Sequence, residues 1–358
     1  MGPRALIDLA ALRHNLQQAR IAAPHSRVIA VIKANAYGHG MLRAARALAE
    51  ADAFAVARVE EGVALRRAGV ETPVLVLGGF FDKEELCVAS ECRLQLAIHQ
   101  AGQLQQLQQA VLSHPVSCWL KVDSGMHRLG FPVSRAAEAF GQLQKCRSVA
   151  PPVRLMTHLA NADDLADNSS TRQLQAFLPL ARDLGAEHSI ANSAGTLGWP
   201  GARSDWIRPG IMLYGSSPFL NSRAQDYGLQ PAMTLQSKLM AVNHYPKGAP
   251  VGYGGSWRCP EAMPVGVVAI GYGDGYPRHA PAGTPVLVNG RRAPLAGRVS
   301  MDMICVDLRA QPAARVGDPV ELWGKGLPAE EIAEAAGTIS YELFCGLGTR
   351  VEFDEQDG

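Results

Sequence analysis

The sequence predicts an α/β chain, a (β/α)8 TIM barrel followed by a mostly β C-terminal domain. Three observations carry this. Eight short apolar runs alternate with helical patterns as far as residue 230. Helical periodicity then fades after Pro231. The unusual polar residues of the first part fall at the C-terminal ends of the apolar runs, where barrels of this kind place their active sites. At 358 residues the chain has room for two domains of ordinary size, and the change of character divides it into 1–230 and 231–358.

Between residues 6 and 20 the chain starts extended and turns helical, with Leu9, Leu12 and Leu16 on one helical face. The barrel strands read at 28–32, 53–56, 74–77, 93–98, 116–122, 153–158, 188–191 and 206–213. Most are runs rich in Val, Ile and Leu, which suits strands buried on both faces of a parallel sheet. Helical stretches stand between them, among them 59–68, 100–111, 135–145 and 172–184. Residues 103–109 are glutamine-rich, yet Leu104 and Leu107 keep helical spacing, so the glutamines form a polar helix face. From Ala232 onward the strand candidates are 233–242, 265–270, 286–288, 303–308 and 320–322. Gly248, Gly283, Gly290 and Gly317 punctuate this second part.

A chain that is 47% hydrophobic and 19% charged can bury a sizeable core. Its net charge of +1 offers no basic surface for nucleic acid or an anionic membrane. No run is long and apolar enough to cross a bilayer, and the N-terminus enters folded-looking sequence without a leader. A cytoplasmic protein is expected. The seven cysteines are scattered, with no Cys-x-x-Cys pair, and read as buried thiols of a reducing compartment. No two histidines stand three to five residues apart, so local metal-binding spacing is absent and no metal is expected.

The most informative stretch is Ala30-Val31-Ile32-Lys33-Ala34-Asn35-Ala36-Tyr37-Gly38-His39-Gly40. It sets a lysine where the first barrel strand ends and a loop begins. An amine is nucleophilic only when deprotonated, and partial burial at a strand end lowers its pKa. Tyr37 and the glycines beyond it can shape a pocket for a planar, phosphorylated group. Four further strand ends carry polar residues. Lys121-Val122-Asp123-Ser124-Gly125-Met126-His127-Arg128 follows the fifth strand, and His158 ends the sixth. Asn192-Ser193-Ala194-Gly195 follows the seventh, and Arg208-Pro209-Gly210-Ile211 lies in the eighth. Small residues after the last two strands let backbone N–H groups approach an anion. Taken singly, Ser193 reads as a helix cap, His158 as a core histidine and Arg128 as a surface charge. Five coincidences at one barrel mouth favour a shared role. The second domain has its own cluster in Val251-Gly252-Tyr253-Gly254-Gly255, Gly271-Tyr272-Gly273-Asp274-Gly275-Tyr276-Pro277-Arg278 and Gly297-Arg298-Val299-Ser300-Met301-Asp302. Alone, these glycines and tyrosines fit β-turns and core phenols, and without a βαβ context they are no dinucleotide fingerprint.

The lysine run and the glycine–tyrosine motifs together resemble the bacterial alanine racemases of the pyridoxal-phosphate (PLP) barrel-plus-β-domain type, over nearly the whole chain. The resemblance implies a PLP-dependent interconversion of L- and D-alanine by a homodimer with shared active sites. In that family the residue matching Lys33 forms the internal Schiff base and is the base on one face of the substrate. The residue matching Tyr253, in the second domain, comes from the partner subunit and serves the other face. Inversion needs such a pair, because removing the α-proton leaves a planar carbanion that must be reprotonated from the opposite side. By the same resemblance Arg208 holds the pyridine nitrogen, with His158 hydrogen-bonded to that arginine. Arg128 binds the substrate carboxylate, and Lys121 matches a lysine often carbamylated. Tyr37, Asn192, Ser193, Gly210, Ile211 and Tyr341 match the remaining cofactor-binding positions, most of them at the phosphate. Met301 and Asp302, from the partner, line the substrate side. Asp163, Tyr272, Arg278, Arg298 and Ile339 surround the entryway.

There are departures from the family pattern. Gly273 stands where Ala is usual, Trp257 replaces a frequent Tyr, and Arg350-Val351-Glu352 lacks a following proline. Rival readings are a decarboxylase on the same barrel, a racemase of broader range that accepts serine, and a non-catalytic PLP carrier. The first would call for an acidic residue where Arg208 stands. The last would lack the second domain.

Overall fold

A computed structural model describes residues 2–357. Eight parallel strands pair in chain order and close into a barrel: Arg27–Val31, Ala53–Val56, Val74–Val76, Gln95–Ile98, Val116–Asp123, Val149–Met156, His188–Ser189 and Trp206–Ile207. Closure is made by Trp206 and Ile207 against Arg27 and Val28. The central residues of the early strands, Ile29, Ala30, Ala55, Leu75 and Leu96, are wholly buried, which is why those runs show no polar alternation. The eighth strand is shorter than the expected 206–213. Beyond Ile207 two more backbone bonds, Arg208 N–H to the Ala191 carbonyl and Val31 N–H to the Pro209 carbonyl, tie the chain to its neighbours, and Ile211–Tyr214 is a 3-10 turn. His158 likewise stands two residues beyond its strand, which ends at Met156, and Arg208 one residue beyond Ile207.

The second sheet is arranged around one long strand, Met233–Tyr245. Its first half pairs with Pro319–Trp323 on one side and its second half with Met263–Val268. On the other side of the first half lies Arg4–Asp8, which in turn pairs with Glu352–Gln356. The first strand of the chain therefore belongs to the second sheet, with Ala5 and Ile7 fully buried. Asp8 then caps helix Leu9–Ala22 by accepting from the Ala11 N–H, and the chain enters the barrel. The sequence reading did not foresee this crossing of the two halves.

Two helices of the second half were also missed, Ala329–Ala336 and Ser340–Cys345. At eight and six residues they are too short for periodicity to register. They matter because they return to the barrel. The Ser340 and Ser216 hydroxyls are 2.6 Å apart, and the Glu330 carboxylate accepts from the Ser217 N–H at 2.7 Å. One continuous apolar core runs through both halves. A small separate one, Val251, Cys259, Met263, Val265 and Ala296, lies beside the Tyr253 turn. All seven cysteines are unpaired; Cys118, Cys146 and Cys259 are buried as expected, whereas Cys87, Cys92 and Cys305 are only partly buried and Cys345 is exposed. No helix among the described residues is long and apolar enough to cross a membrane.

Candidate active site

Lys33 sits just past the first barrel strand, and the four residues after it take an unusual path. Ala34, Asn35, Ala36 and Tyr37 all have φ between +51° and +55°. They form one left-handed turn, a conformation that costs non-glycine residues roughly 1–2 kcal/mol each. Neighbours hold it there. The Asn35 carboxamide accepts from the Met41 N–H at 2.8 Å, and the His39 Nδ1 lies 2.9 Å from the Tyr37 carbonyl. Gly38 closes the turn at φ +79°, and a Cβ there would lie 2.0 Å from the Phe344 carbonyl oxygen. The result is a rigid mount for Lys33 and Tyr37. Burial and the nearby Arg128 push the Lys33 amine below its ordinary pKa, while Glu61 and Cys345 pull the other way.

The mouth is crowded with cations. Arg208 is 5% exposed, and its recorded partners are neutral: the Ser189 hydroxyl, the carbonyls of Thr157 and Ile190, and His158 Nδ1 at 3.5 Å. Burial alone brings its guanidinium down to about 10. His158 is held well below its ordinary value by burial and then by Arg208, so its imidazole is neutral. With Nδ1 facing the guanidinium, the ring proton belongs on Nε2. Lys121 is lowered to about 8, by burial first and then by Arg208, Arg128 and Lys33. Arg208 is buried and Lys33 and Lys121 half-buried, with no carboxylate among the described residues in an ion pair to any of them, an arrangement that is costly unless an anion joins it.

Beside them lies a set of donors. The Ser193 hydroxyl accepts from the Gly210 N–H at 2.8 Å and the Met212 N–H at 3.3 Å. Gly210 backs directly onto the Tyr37 hydroxyl, which would lie 2.5 Å from a Cβ at that position. Tyr37 packs against Tyr214 and Tyr341, with ring centroids 4.8 and 5.7 Å apart. Burial raises the pKa of all three phenols, so each keeps its proton; Tyr214 donates its own to the Val31 carbonyl at 2.8 Å, which leaves Tyr37 and Tyr341 as the donors facing the mouth. Asn192 is committed locally, its side chain capping the helix Ser193–Gly198 through the Gly195 N–H.

A cavity of about 500 Å³ opens onto this mouth and is lined in part by Arg128, His158, Asp163, Asn192, Ile339 and Tyr341. The other expected residues gather elsewhere. Tyr253 is 69% exposed on its turn beside the Arg298 guanidinium. Tyr272 and Gly273 hydrogen-bond through their N–H groups to the carbonyls of Ser300 and Met301. Arg278 lies over the Tyr272 ring. Among the described residues, no recorded hydrogen bond or ion pair joins this exposed cluster to Lys33 of the same chain. Sequence reasoning missed the residues that brace both clusters. Glu61 accepts from the Ala34 N–H at 2.7 Å. Arg350 bridges the buried Asp274 and the exposed Asp302, at 2.8 Å to each. The Arg-Val pair of the tail was the available signal for the second.

Comparison with known proteins agrees with this geometry. Residues 7–218 match the family described as "Alanine racemase, N-terminal domain", and 232–354 match "Alanine racemase, C-terminal domain". The alanine racemase of Nitrosococcus oceani is 54% identical over 349 residues, covering 98% of each chain. That of Halorhodospira halophila is 52% identical over 356 residues, covering 99% of this chain and 98% of the relative. Among solved structures, the biosynthetic alanine racemase from Pseudomonas aeruginosa superposes with a TM-score of 0.96 at 46% identity, covering 99% of each chain. The alanine racemase from Acinetobacter baumannii does so at 0.94 and 37%, with the same coverage. With a matching pair of domains, relatives at half identity over the full span and a barrel mouth built for an anionic ligand, the chain belongs to the alanine racemase family.

Proposed function

We propose that this chain racemises alanine with PLP seated in its barrel mouth and with two bases on opposite faces of the α-carbon. Lys33 is the first base and the partner subunit's Tyr253 the second. The observation that carries the reading is the mouth itself, where Lys33, Lys121, Arg128 and Arg208 crowd around a neutral His158. The donor set fits PLP. Its phosphate would meet Tyr37, Ser193, Tyr341 and the backbone at Gly210 and Ile211, and Arg208 would hold the pyridine nitrogen. When bound, PLP supplies an electron sink that makes the α-proton of an attached amino acid removable.

The remaining work belongs to the chain. Lys33 Nζ would hold the cofactor, and its amine would take or return the α-proton on one face. Burial and Arg128 lower its pKa, which favours the free amine that takes the proton. Arg208 only donates, so it would keep a pyridine nitrogen an acceptor, and neutral His158 steadies the guanidinium without adding charge. Arg128 takes the substrate carboxylate. Lys121, with a pKa of about 8, has free amine available to carbon dioxide. As a carbamate it would pair with Arg128, which an ammonium would repel. Tyr253, Met301 and Asp302 lie on an exposed face, and head-to-tail two-fold packing would carry them to the mouth of a second copy. Borohydride treatment of the purified protein should fix PLP on Lys33, read by peptide mass spectrometry. An adduct on any other lysine refutes the assignment.

A further inference from the structure

The left-handed turn behind Lys33 raises a question of accounting. The first N–H groups of a single helical turn have no acceptor within it. Ala36 donates to the Ile32 carbonyl and Gly38 to that of Ala34. The Ala34 N–H instead reaches Glu61 Oε1, 27 residues further along, at 2.7 Å. The other oxygen of the same carboxylate accepts from the Ala57 N–H at 2.7 Å and the Arg58 N–H at 3.1 Å. Ala57 and Arg58 lie just past the second barrel strand, at the start of helix Val59–Arg67. A helix-capping role accounts for Oε2. It does not account for Oε1.

We infer that Glu61 is a positioning residue for Lys33: its carboxylate ties the lysine's turn to the second barrel strand and sets a negative charge on the lysine's side of the mouth. Three N–H donors fall on two oxygens, and only a carboxylate has acceptors at both ends. Glutamine would turn an NH2 group toward a donor at one end. Aspartate keeps the charge but is a methylene too short to span the gap. The charge matters because of what else faces Lys33. Arg128, Lys121 and His158 line the barrel side, and Cys345 comes from the helix Ser340–Cys345. The cations favour the free amine. Glu61 opposes them, so the lysine can hold a proton as well as release one.

This rests on Lys33 being the cofactor-bearing base. The test uses full-length Glu61→Gln and Glu61→Asp beside the unaltered protein, with two readouts. The first is amide hydrogen exchange over residues 34–40 in the protein as purified, with helix Lys83–Glu91 as an internal control. Loss of one charge-assisted hydrogen bond should speed exchange there about tenfold or more in both variants and leave the control unchanged. The second is the pH profile of Lys33 acetylation by limiting acetic anhydride after PLP is removed. In Glu61→Gln it should move to lower pH, and in Glu61→Asp it should stay. A change in melting temperature alone, with exchange at 34–40 and the Lys33 profile unmoved, makes Glu61 a helix cap and overturns the proposal. If the Gln variant does not fold, unchanged exchange in the Asp variant overturns it equally. Borohydride trapping on another lysine would sink the assignment of Lys33 as base but leave faster exchange at 34–40 intact, so the two failures are separable.

Discussion

Lys33 and Tyr253 are mounted in opposite ways. The lysine is half-buried on a strained left-handed turn, fixed from Glu61, from within by Asn35 and His39, and by the backbone of Phe344. The tyrosine is 69% exposed on a glycine-rich turn over a small core of its own. One group stands at the mouth of a prepared barrel, and the other on an open face with, among the described residues, no recorded hydrogen bond or ion pair to Lys33 of its own chain. A proton-transfer group needs fixed geometry, so a base this exposed gains its surroundings only when a second surface closes over it. On the proposed reading, the barrel mouth supplies the binding site and one base, and the β-domain face of a second copy supplies the other base.

Substitutions at the two mounts should break the comparison in different ways. The largest effect is expected from Lys33→Ala, which removes both the cofactor anchor and a base. Racemase activity should fall by more than about 10⁴-fold, and the cofactor should no longer be retained on borohydride reduction. Tyr253→Phe should cost about 10²- to 10⁴-fold in racemisation, yet keep PLP on Lys33. It should still exchange the α-proton of one enantiomer of alanine with deuterated solvent, seen by proton NMR. Exchange of both enantiomers at equal rate would show that Tyr253 is not the second base.

Smaller effects probe the rigidity of the lysine mount. Gly38→Ala forces a Cβ onto the Phe344 carbonyl oxygen and keeps a positive φ. A loss of about 4 kcal/mol in unfolding free energy is expected by denaturant titration, the sum of overpacking and left-handed strain. His39 is fully buried, and burial holds its imidazole down at about 4. The unfolded chain would bind that proton near pH 6.5, so the unfolded state gains protons first as pH falls. Stability should decline from about pH 6.5 down to about pH 4, by about 3 kcal/mol from this residue. His39→Gln should flatten that part of the stability–pH curve, and an unchanged slope would show that the histidine is not the group responsible.

The barrel was legible in the sequence because parallel strands buried on both faces leave uninterrupted apolar runs. The candidate site was legible because its charged residues stand where those runs stop. What stayed hidden depends on contacts far apart in the chain. Arg4–Asp8 looks like an ordinary strand, and nothing local says that its neighbours are Met233–Tyr245 and Glu352–Gln356. The Arg350 bridge joins residues 76 and 48 positions away. Ala34-Asn35-Ala36-Tyr37 carries no glycine, and only Asn35 is a residue that tolerates the left-handed region. Glu61 accepts from the turn's first N–H and the Phe344 carbonyl leaves room only for glycine at its end, and neither residue is near the turn in sequence.

The claim that the site is split between two copies is tested most directly by mixing inactive protomers. Lys33→Ala and Tyr253→Phe proteins, each inactive alone, are combined under conditions where subunit exchange is confirmed by native mass spectrometry. Each mixed dimer would then pair one intact Lys33 with one intact Tyr253 across the interface, giving about one competent site per heterodimer. The account predicts that racemase activity returns in proportion to the heterodimer fraction. Confirmed exchange without recovery would contradict it.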